Sequence, residues 1–388
     1  MKKKLVLVGG GHAHLTVLQN LNSFTNPSLN PGFNPSFNQA IVISSNSFQY
    51  YSGMGPGMLS GIYTPEMIRF NIKKMVEDRG GVFIQDKVCK IDPEKKQLLL
   101  ESENTVEYDI VSFNTGSMVP FDFPETYQND FVFPVKPIEN LLIARNRIIG
   151  DLKQKSLKIW VAGAGAAGVE IAANLCRLVK DNKGKAEIFL ASGNGVMSGF
   201  DIKIRDCVIK VLNDLGVKIA DKARIKSIEK NRVIFTDKSD FEADYVFLAV
   251  GTSPSSIFRD SGIPTGSDGG LLLDSFLRSV SYNEIFGGGD CISFAPFSLQ
   301  RVGVYAVRQN PILFHNLQAA LKSTDLKNTG DYQKFIPQKS FMQILNMGNR
   351  TGIFFRKPLV FSGRTAFLLK DYIDRTFMKK FQVSGEIA

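Results

Sequence analysis

Two tandem α/β units, each with a parallel sheet between helical layers, are expected from this sequence on three observations. An apolar run, Lys4 to Val8, stops at Gly9-Gly10-Gly11, gives way to a helical stretch at His14 to Leu21, and resumes as a strand at Ala40 to Ser44. The same order returns at Leu157 to Ala162, Gly163-Ala164-Gly165, Val169 to Leu178 and Ala186 to Ala191. Two longer stretches, Tyr108 to Gly116 and Tyr245 to Thr252, each carry an apolar strand to a glycine and form a second matched pair. Short apolar strands alternating with helices argue for parallel sheets covered on both faces. A glycine turn between strand and helix marks each unit as a Rossmann-like nucleotide-binding domain.

Length agrees with this. At 388 residues the chain is too long for one ordinary core and fits two or three domains. With 44% hydrophobic residues it is globular. Lysines 2–4 resemble the charged start of a signal peptide, but the apolar run after them breaks at once into glycine. They read as solvated residues ahead of a first buried strand. The segment Ser23 to Gln39 repeats Asn-Pro and Pro-Gly dipeptides and is expected to be an irregular connector. At the far end, Phe341 to Phe361 reads as strands or turns. Thr365 to Phe381 places Ala366, Leu369, Ile373 and Phe377 at helical spacing, with Leu368, Tyr372 and Phe381 widening the apolar stripe.

Composition excludes several classes. The four cysteines form no CxxC pair, which argues against a disulfide framework or zinc ribbon and suits a reducing cytoplasm. Three histidines leave little basis for a metal centre. No run of eighteen apolar residues occurs, so no membrane-spanning helix is expected. The net charge of +10 favours an anionic partner, but the lysines are scattered and no nucleic-acid motif appears.

The glycine turns carry the chemistry. A dinucleotide pyrophosphate needs a backbone that approaches closely and a helix N-terminus pointing at its charge. Gly163-x-Gly165-x-x-Gly168 meets the full pattern in the right context. The first copy has Gly9 and Gly11, with His14 where the third glycine would stand. His12 and His14 are candidate phosphate donors, or packing residues. Neither copy has the acidic residue that accepts from an adenosine ribose: one ends in Ser44-Ser45-Asn46, the other in Ala191-Ser192-Gly193-Asn194. No arginine follows there either, so the spacing favours neither NADH nor NADPH. Phe286-Gly287-Gly288-Gly289-Asp290 puts an aspartate at the end of a glycine-rich strand, placed to accept from ribityl hydroxyls of FAD. Gly116 and Gly251 end strands suited to a crossing beside a cofactor.

With these residues assembled, the chain resembles the FAD-dependent pyridine nucleotide-disulfide oxidoreductase superfamily. Within it, the chain is similar to the type II NADH dehydrogenase-like branch, which includes the oxidoreductase domain fused to some selenide, water dikinases. The strings are Gly9-Gly-Gly-His-Ala-His14, Tyr51-Ser-Gly-Met-Gly-Pro-Gly57, Val135-Lys-Pro137, Gly163 to Glu170, Gly289-Asp-Cys291 and Lys370 to Met378. The resemblance implies an FAD domain in two pieces, 1–120 and 265–330, an NAD(P)H domain at 121–264 inserted between them, and a C-terminal segment at 331–388. It implies Gly9, Gly11 and Asp290 on FAD, Gly163, Gly165 and Gly168 on the nicotinamide dinucleotide, and Glu170 near the nicotinamide ring.

Two departures shape the expected activity. No redox cysteine pair is present, so electrons would leave the flavin directly for a small-molecule acceptor. Where the branch carries two glutamines four residues apart beside the flavin, this chain has Tyr305 and Gln309. A quinone acceptor is expected with that change noted. The expected function is hydride transfer from NAD(P)H to flavin, then reoxidation by quinone, in the cytoplasm or peripherally on its membrane face. The C-terminal helix would bind membrane, the protein's own core or a second subunit of a homodimer. A flavin- or nucleotide-sensing module with little turnover is the alternative.

Overall fold

The computed structural model describes residues 3–25, 39–120, 130–229, 231–338 and 340–382. Most of the Asn/Pro-rich connector therefore lies outside the described residues. Strands β1 (Lys4–Val8), β2 (Gln39–Ser44), β3 (Val82–Gln85) and β4 (Ile110–Phe113) begin the first sheet. The second contains β5 (Val132–Pro134), β6 (Leu157–Ala162), β7 (Ala186–Ser192), β8 (Lys218–Asp221) and β9 (Tyr245–Leu248). The chain then returns to the first sheet with β10 (Ile285–Gly287), giving spatial orders β10-β4-β1-β2-β3 and β5-β9-β6-β7-β8. Every pairing in both is parallel. Strands β4 and β9 are buried along their whole length, as parallel strands covered on both faces must be. The α/β class and the doubled unit are as the sequence predicts.

Helices α1 (Leu15–Gln19), α2 (Gly55–Ser60), α3 (Glu139–Asp151), α4 (Ala166–Asp181), α5 (Ile202–Asp214) and α6 (Gly303–Lys322) cover the sheets. Helix α2 packs on α4 and so joins the two units. Helix α6 packs beneath the 3-10 turn His12–His14. Its free C-terminal carbonyls are met by the Lys3 ammonium, which donates to Ser323 O at 2.5 Å and Ala320 O at 3.3 Å.

The C-terminal segment forms an antiparallel sheet, β11 (Gln343–Asn346), β12 (Gly352–Arg356) and β13 (Leu359–Gly363), against helix α7 (Arg364–Phe381). The apolar residues of α7 divide between two faces. The helix buries Ala366, Phe367, Asp374, Met378 and Phe381, while Leu368 (64% exposed), Leu369, Tyr372 (70%) and Ile373 face outward. Spacing marks the apolar residues without assigning a buried face; the inward face combines Ala366, Phe367, Met378 and Phe381 with the bonded pair Lys370 and Asp374. No described helix is long and apolar enough to cross a membrane.

Candidate active site

In the first unit the chain leaves β1 through Gly9, whose φ of +89° favours glycine. A Cβ there would lie 2.3 Å from Asn114 O, just beyond β4. The second unit repeats this contact: Gly163 has φ +100°, and its Cβ would lie 2.3 Å from Ala249 O, just beyond β9. The bonds around the two turns also match. Gly9 N–H donates to Ile43 O and Asn114 N–H to Val8 O; Gly163 N–H donates to Ala191 O and Ala249 N–H to Ala162 O. Duplication in sequence is therefore duplication in backbone geometry.

The third position separates the copies. A Cβ at Gly168 would lie 1.8 Å from Gly163 O, so that glycine lets α4 close onto its strand. His14 achieves the closure differently in the first unit. It is fully buried, with Nδ1 2.7 Å from Gly9 O and Nε2 2.8 Å from Ser112 Oγ on β4. Burial pushes its pKa down to about 4, with the Gly9 bond opposing, so the ring is neutral. Both ring nitrogens are used by the protein, and His14 does not line the cavity described below. His12 does line it. Burial also lowers its pKa to about 4, against the pull of Asp290, and its Nε2 is buried without a partner.

Both turns open into one cavity of about 1280 Å³. Its lining includes Gly9 to His12, Ser44 to Asn46, Gly116, Gly163 to Ala167, Ser192 to Gly195, Gly251 and Asp290. At Gly116, Gly165 and Gly251 an added Cβ would meet no other part of the described chain within 4 Å, so each faces open space. Gly165 precedes the sixteen-residue α4, and the N-terminus of the twenty-residue α6 reaches the cavity through Arg301, Val302 and Gly303. Two helix N-termini thus bring unpaired N–H groups and positive dipole ends to one space.

Asp290 lies at the meeting point. Its Oδ2 accepts from Lys136 Nζ at 2.6 Å and Ser117 Oγ at 3.0 Å. Burial alone would raise the carboxyl, but Lys136 and Ser117 outweigh it and hold the pKa below the usual value. Arg301 Nε donates to Asp290 O, and its guanidinium pairs with Asp268 at 2.7 Å. Neither Lys136 nor Arg301 was singled out from sequence; the Val135-Lys-Pro137 string was the available signal. Tyr305 and Gln309 do not line the cavity. Tyr305 packs edge-on to Phe341, while Gln309 is buried and accepts from Gly289 N–H at 2.7 Å.

Glu170, on α4, lines the cavity and accepts from Asn346 N–H at 2.7 Å. Burial pushes its pKa up to about 7, with Lys370 and the Asn346 bond opposing. Lys370 donates to Gly53 O and to Asp374, both at 2.8 Å, and Tyr51 OH donates to Asp374 at 3.1 Å. Burial favours the neutral lysine, yet Asp374 and Glu170 hold its pKa above the usual value. Lys370 and Asp374 belong to the inward face of α7, a connection that sequence spacing does not show.

The residues present fit two dinucleotides. Glycine cradles face open space, two helix N-termini open into the cavity as an anion requires, and His12 Nε2 and Asn114 Nδ2 are buried without protein partners. Fold and site together define a flavoprotein oxidoreductase that binds FAD and uses NADH or NADPH as co-substrate. The chain belongs to the pyridine nucleotide-disulphide oxidoreductase family, whose model matches residues 3–316. Among curated proteins it is similar to an NADH oxidase of Streptococcus pyogenes serotype M6, 26% identical over 328 residues, 80% of this chain and 68% of that one. Among solved structures it resembles NDH2 from Plasmodium falciparum in complex with NADH. That match has a TM-score of 0.79 at 15% identity and covers 98% of both chains. It also resembles the sulfide:quinone oxidoreductase of Aquifex aeolicus, with a TM-score of 0.76 at 16% identity over 98% of this chain and 91% of that one.

Proposed function

We propose that this NAD(P)H dehydrogenase passes electrons from the flavin directly to a quinone-type acceptor at a membrane surface, without a redox disulfide. The observation that carries the reading is the single cavity shared by both glycine turns. FAD, when bound, supplies the two-electron chemistry by accepting hydride from NAD(P)H. Residues 1–120 and 265–330 would hold it through Gly9, Gly11, His12, Gly116, Asp290 and the α6 N-terminus. Residues 121–264 would hold the nicotinamide dinucleotide through Gly163, Gly165 and Gly251, with Gly168 letting α4 pack close beneath them and Glu170 beside the reactive end.

The cysteines support direct electron exit. All four are free, burial raises the Cys291 thiol to about 11, and its sulfur lies against the Phe113 and Gly288 carbonyls. Burial likewise pushes Cys176 on α4 up to about 12. Both are poor thiolates at neutral pH. The acceptor would lie beside Glu170, which lines the cavity, with Lys370, Asp374 and Tyr51 forming the bonded cluster behind it. Tyr305 and Gln309 lie outside the cavity lining, and Gln309 supports the glycine turn through Gly289. Glu170 holds a proton on its carboxyl near neutral pH, as reduction of a quinone requires.

The outward apolar face of α7 supports a membrane surface. Leu368, Leu369, Tyr372 and Ile373 on α7 are joined by exposed Leu359 on β13, while Arg364, Lys379 and Lys380 lie on the same helix. A quinone-type acceptor also agrees with the name of the sulfide:quinone oxidoreductase neighbour. The test is spectroscopic. Purified protein is expected to be yellow, to bleach without oxygen on adding reduced nicotinamide dinucleotide, and to regain colour on adding a soluble quinone. Bleaching without recovery overturns the quinone reading, and failure to bleach overturns the dehydrogenase reading.

A further inference from the structure

We infer that the second unit is built for an adenosine 2′-phosphate, making NADPH the preferred reductant, with Arg224 as the residue that selects it. This rests on the reading of that unit as the NAD(P)H site. Sequence spacing shows no arginine after β7, because Arg224 comes thirty-two residues later, beyond β8. The fold returns it to the end of β7. Ala223 N–H donates to Ser192 O at 3.1 Å, and Arg224 O accepts from Thr236 N–H at 2.9 Å, so the backbone is pinned on both sides. The aliphatic stem crosses Gly193, where a Cβ would lie 2.9 Å from Arg224 Cγ. The guanidinium donates to Asn194 Oδ1 at 3.0 Å at the cavity lip.

Charge identifies the ligand. The described cations lining the cavity are Lys87, Lys136, Arg224 and Arg301. Lys87 pairs with Glu101, Lys136 with Asp290 and Arg301 with Asp268. Arg224 is held instead by a neutral amide oxygen. The lining carboxylates, Asp86, Glu139, Glu170 and Asp290, belong to other parts of the cavity; none follows β7. Asp221 is register-paired with Ser192 but does not line the cavity. Ser192 does line it, and its hydroxyl is buried without a partner.

The first unit is an internal comparison. Its β2 ends at Ser44, whose carbonyl accepts from Asp86 N–H at 3.1 Å as Ser192 O accepts from Ala223 N–H. There the lip carries Asp86 followed by Lys87, whose charge is matched by Glu101. FAD has no 2′-phosphate and needs no unmatched cation. The unit assigned to the nicotinamide dinucleotide has one, and a guanidinium fork suits a phosphate.

Calorimetric binding of 2′,5′-ADP and of 5′-ADP tests this in the flavin-loaded protein. Tighter binding of 2′,5′-ADP, by about tenfold or more, is expected, with the gap shrinking as salt rises. Arg224→Gln should abolish most of the gap while leaving 5′-ADP binding unchanged, and Arg224→Lys should retain part of it. Asn194→Asp, which places a carboxylate against the guanidinium, should reverse the preference and lower kcat/KM for NADPH relative to NADH. Arg224 is exposed, so melting temperatures of its variants should match the parent. Equal binding of both fragments by the parent protein overturns the NADPH preference, and an unchanged gap in Arg224→Gln overturns the assignment to Arg224. Binding of neither fragment overturns the nucleotide-site reading beneath it.

Discussion

Glu170 shows how one side chain connects packing to pH. Its folded carboxyl keeps its proton up to a pKa of about 7, whereas an unfolded glutamic acid loses it near ~4.3. This group's contribution to stability therefore falls as pH rises between those values, because the unfolded chain then binds fewer protons. Below the folded pKa the carboxyl can deliver a proton; above it, it is an anion. Acceptor reduction is expected to slow as pH rises through about 7, and Glu170→Gln should lower the rate and flatten the profile. A variant with the same limb would assign the titration elsewhere among the facing groups, Lys370, Asp374 and Tyr51. The glycines separate by role at this scale too. Gly163→Val forces a branched side chain to φ +100° against the Ala249 backbone, costing about 1–3 kcal/mol from strain alone plus the overlap, and should lower the melting temperature. Gly165→Ala meets open space at an ordinary φ of −76°, so it should fold normally yet bind nicotinamide dinucleotide more weakly. Equal melting temperatures for the two would refute this division.

Among the elements, α7 departs furthest from its pattern. A helix usually buries its apolar stripe; this one turns Ala366, Phe367, Met378 and Phe381 inward together with Lys370 and Asp374, and leaves Leu368, Leu369, Tyr372 and Ile373 in the open. Inward charges are tolerated because each is bonded: Lys370 to Gly53 and Asp374, Asp374 to Tyr51. Outward apolar groups then remain for another surface. Replacing Leu368 and Tyr372 together by Glu should abolish co-sedimentation with anionic liposomes and leave reduction of a water-soluble quinone within about twofold. Co-sedimentation that survives the change would remove α7 from the membrane reading. The third-glycine position teaches a similar lesson. His14 takes the place of a packing glycine by bonding both the turn and β4, a role set by a neighbouring strand ninety-eight residues away.

Across the whole molecule, the sequence by itself determined the α/β class, the doubled strand–glycine–helix unit and the positions of both turns. Those signals are local: periodicity, glycine spacing and strand length are written into contiguous residues. Only the tertiary structure decided that both turns open into one cavity, that Lys136 neutralises Asp290, that Gln309 is committed to Gly289, and that Arg224 stands at the end of β7. It likewise decided which face of α7 is buried. Each of these depends on pairing between residues far apart in the chain, where the bonding of buried polar groups, invisible to spacing, outweighs the local pattern.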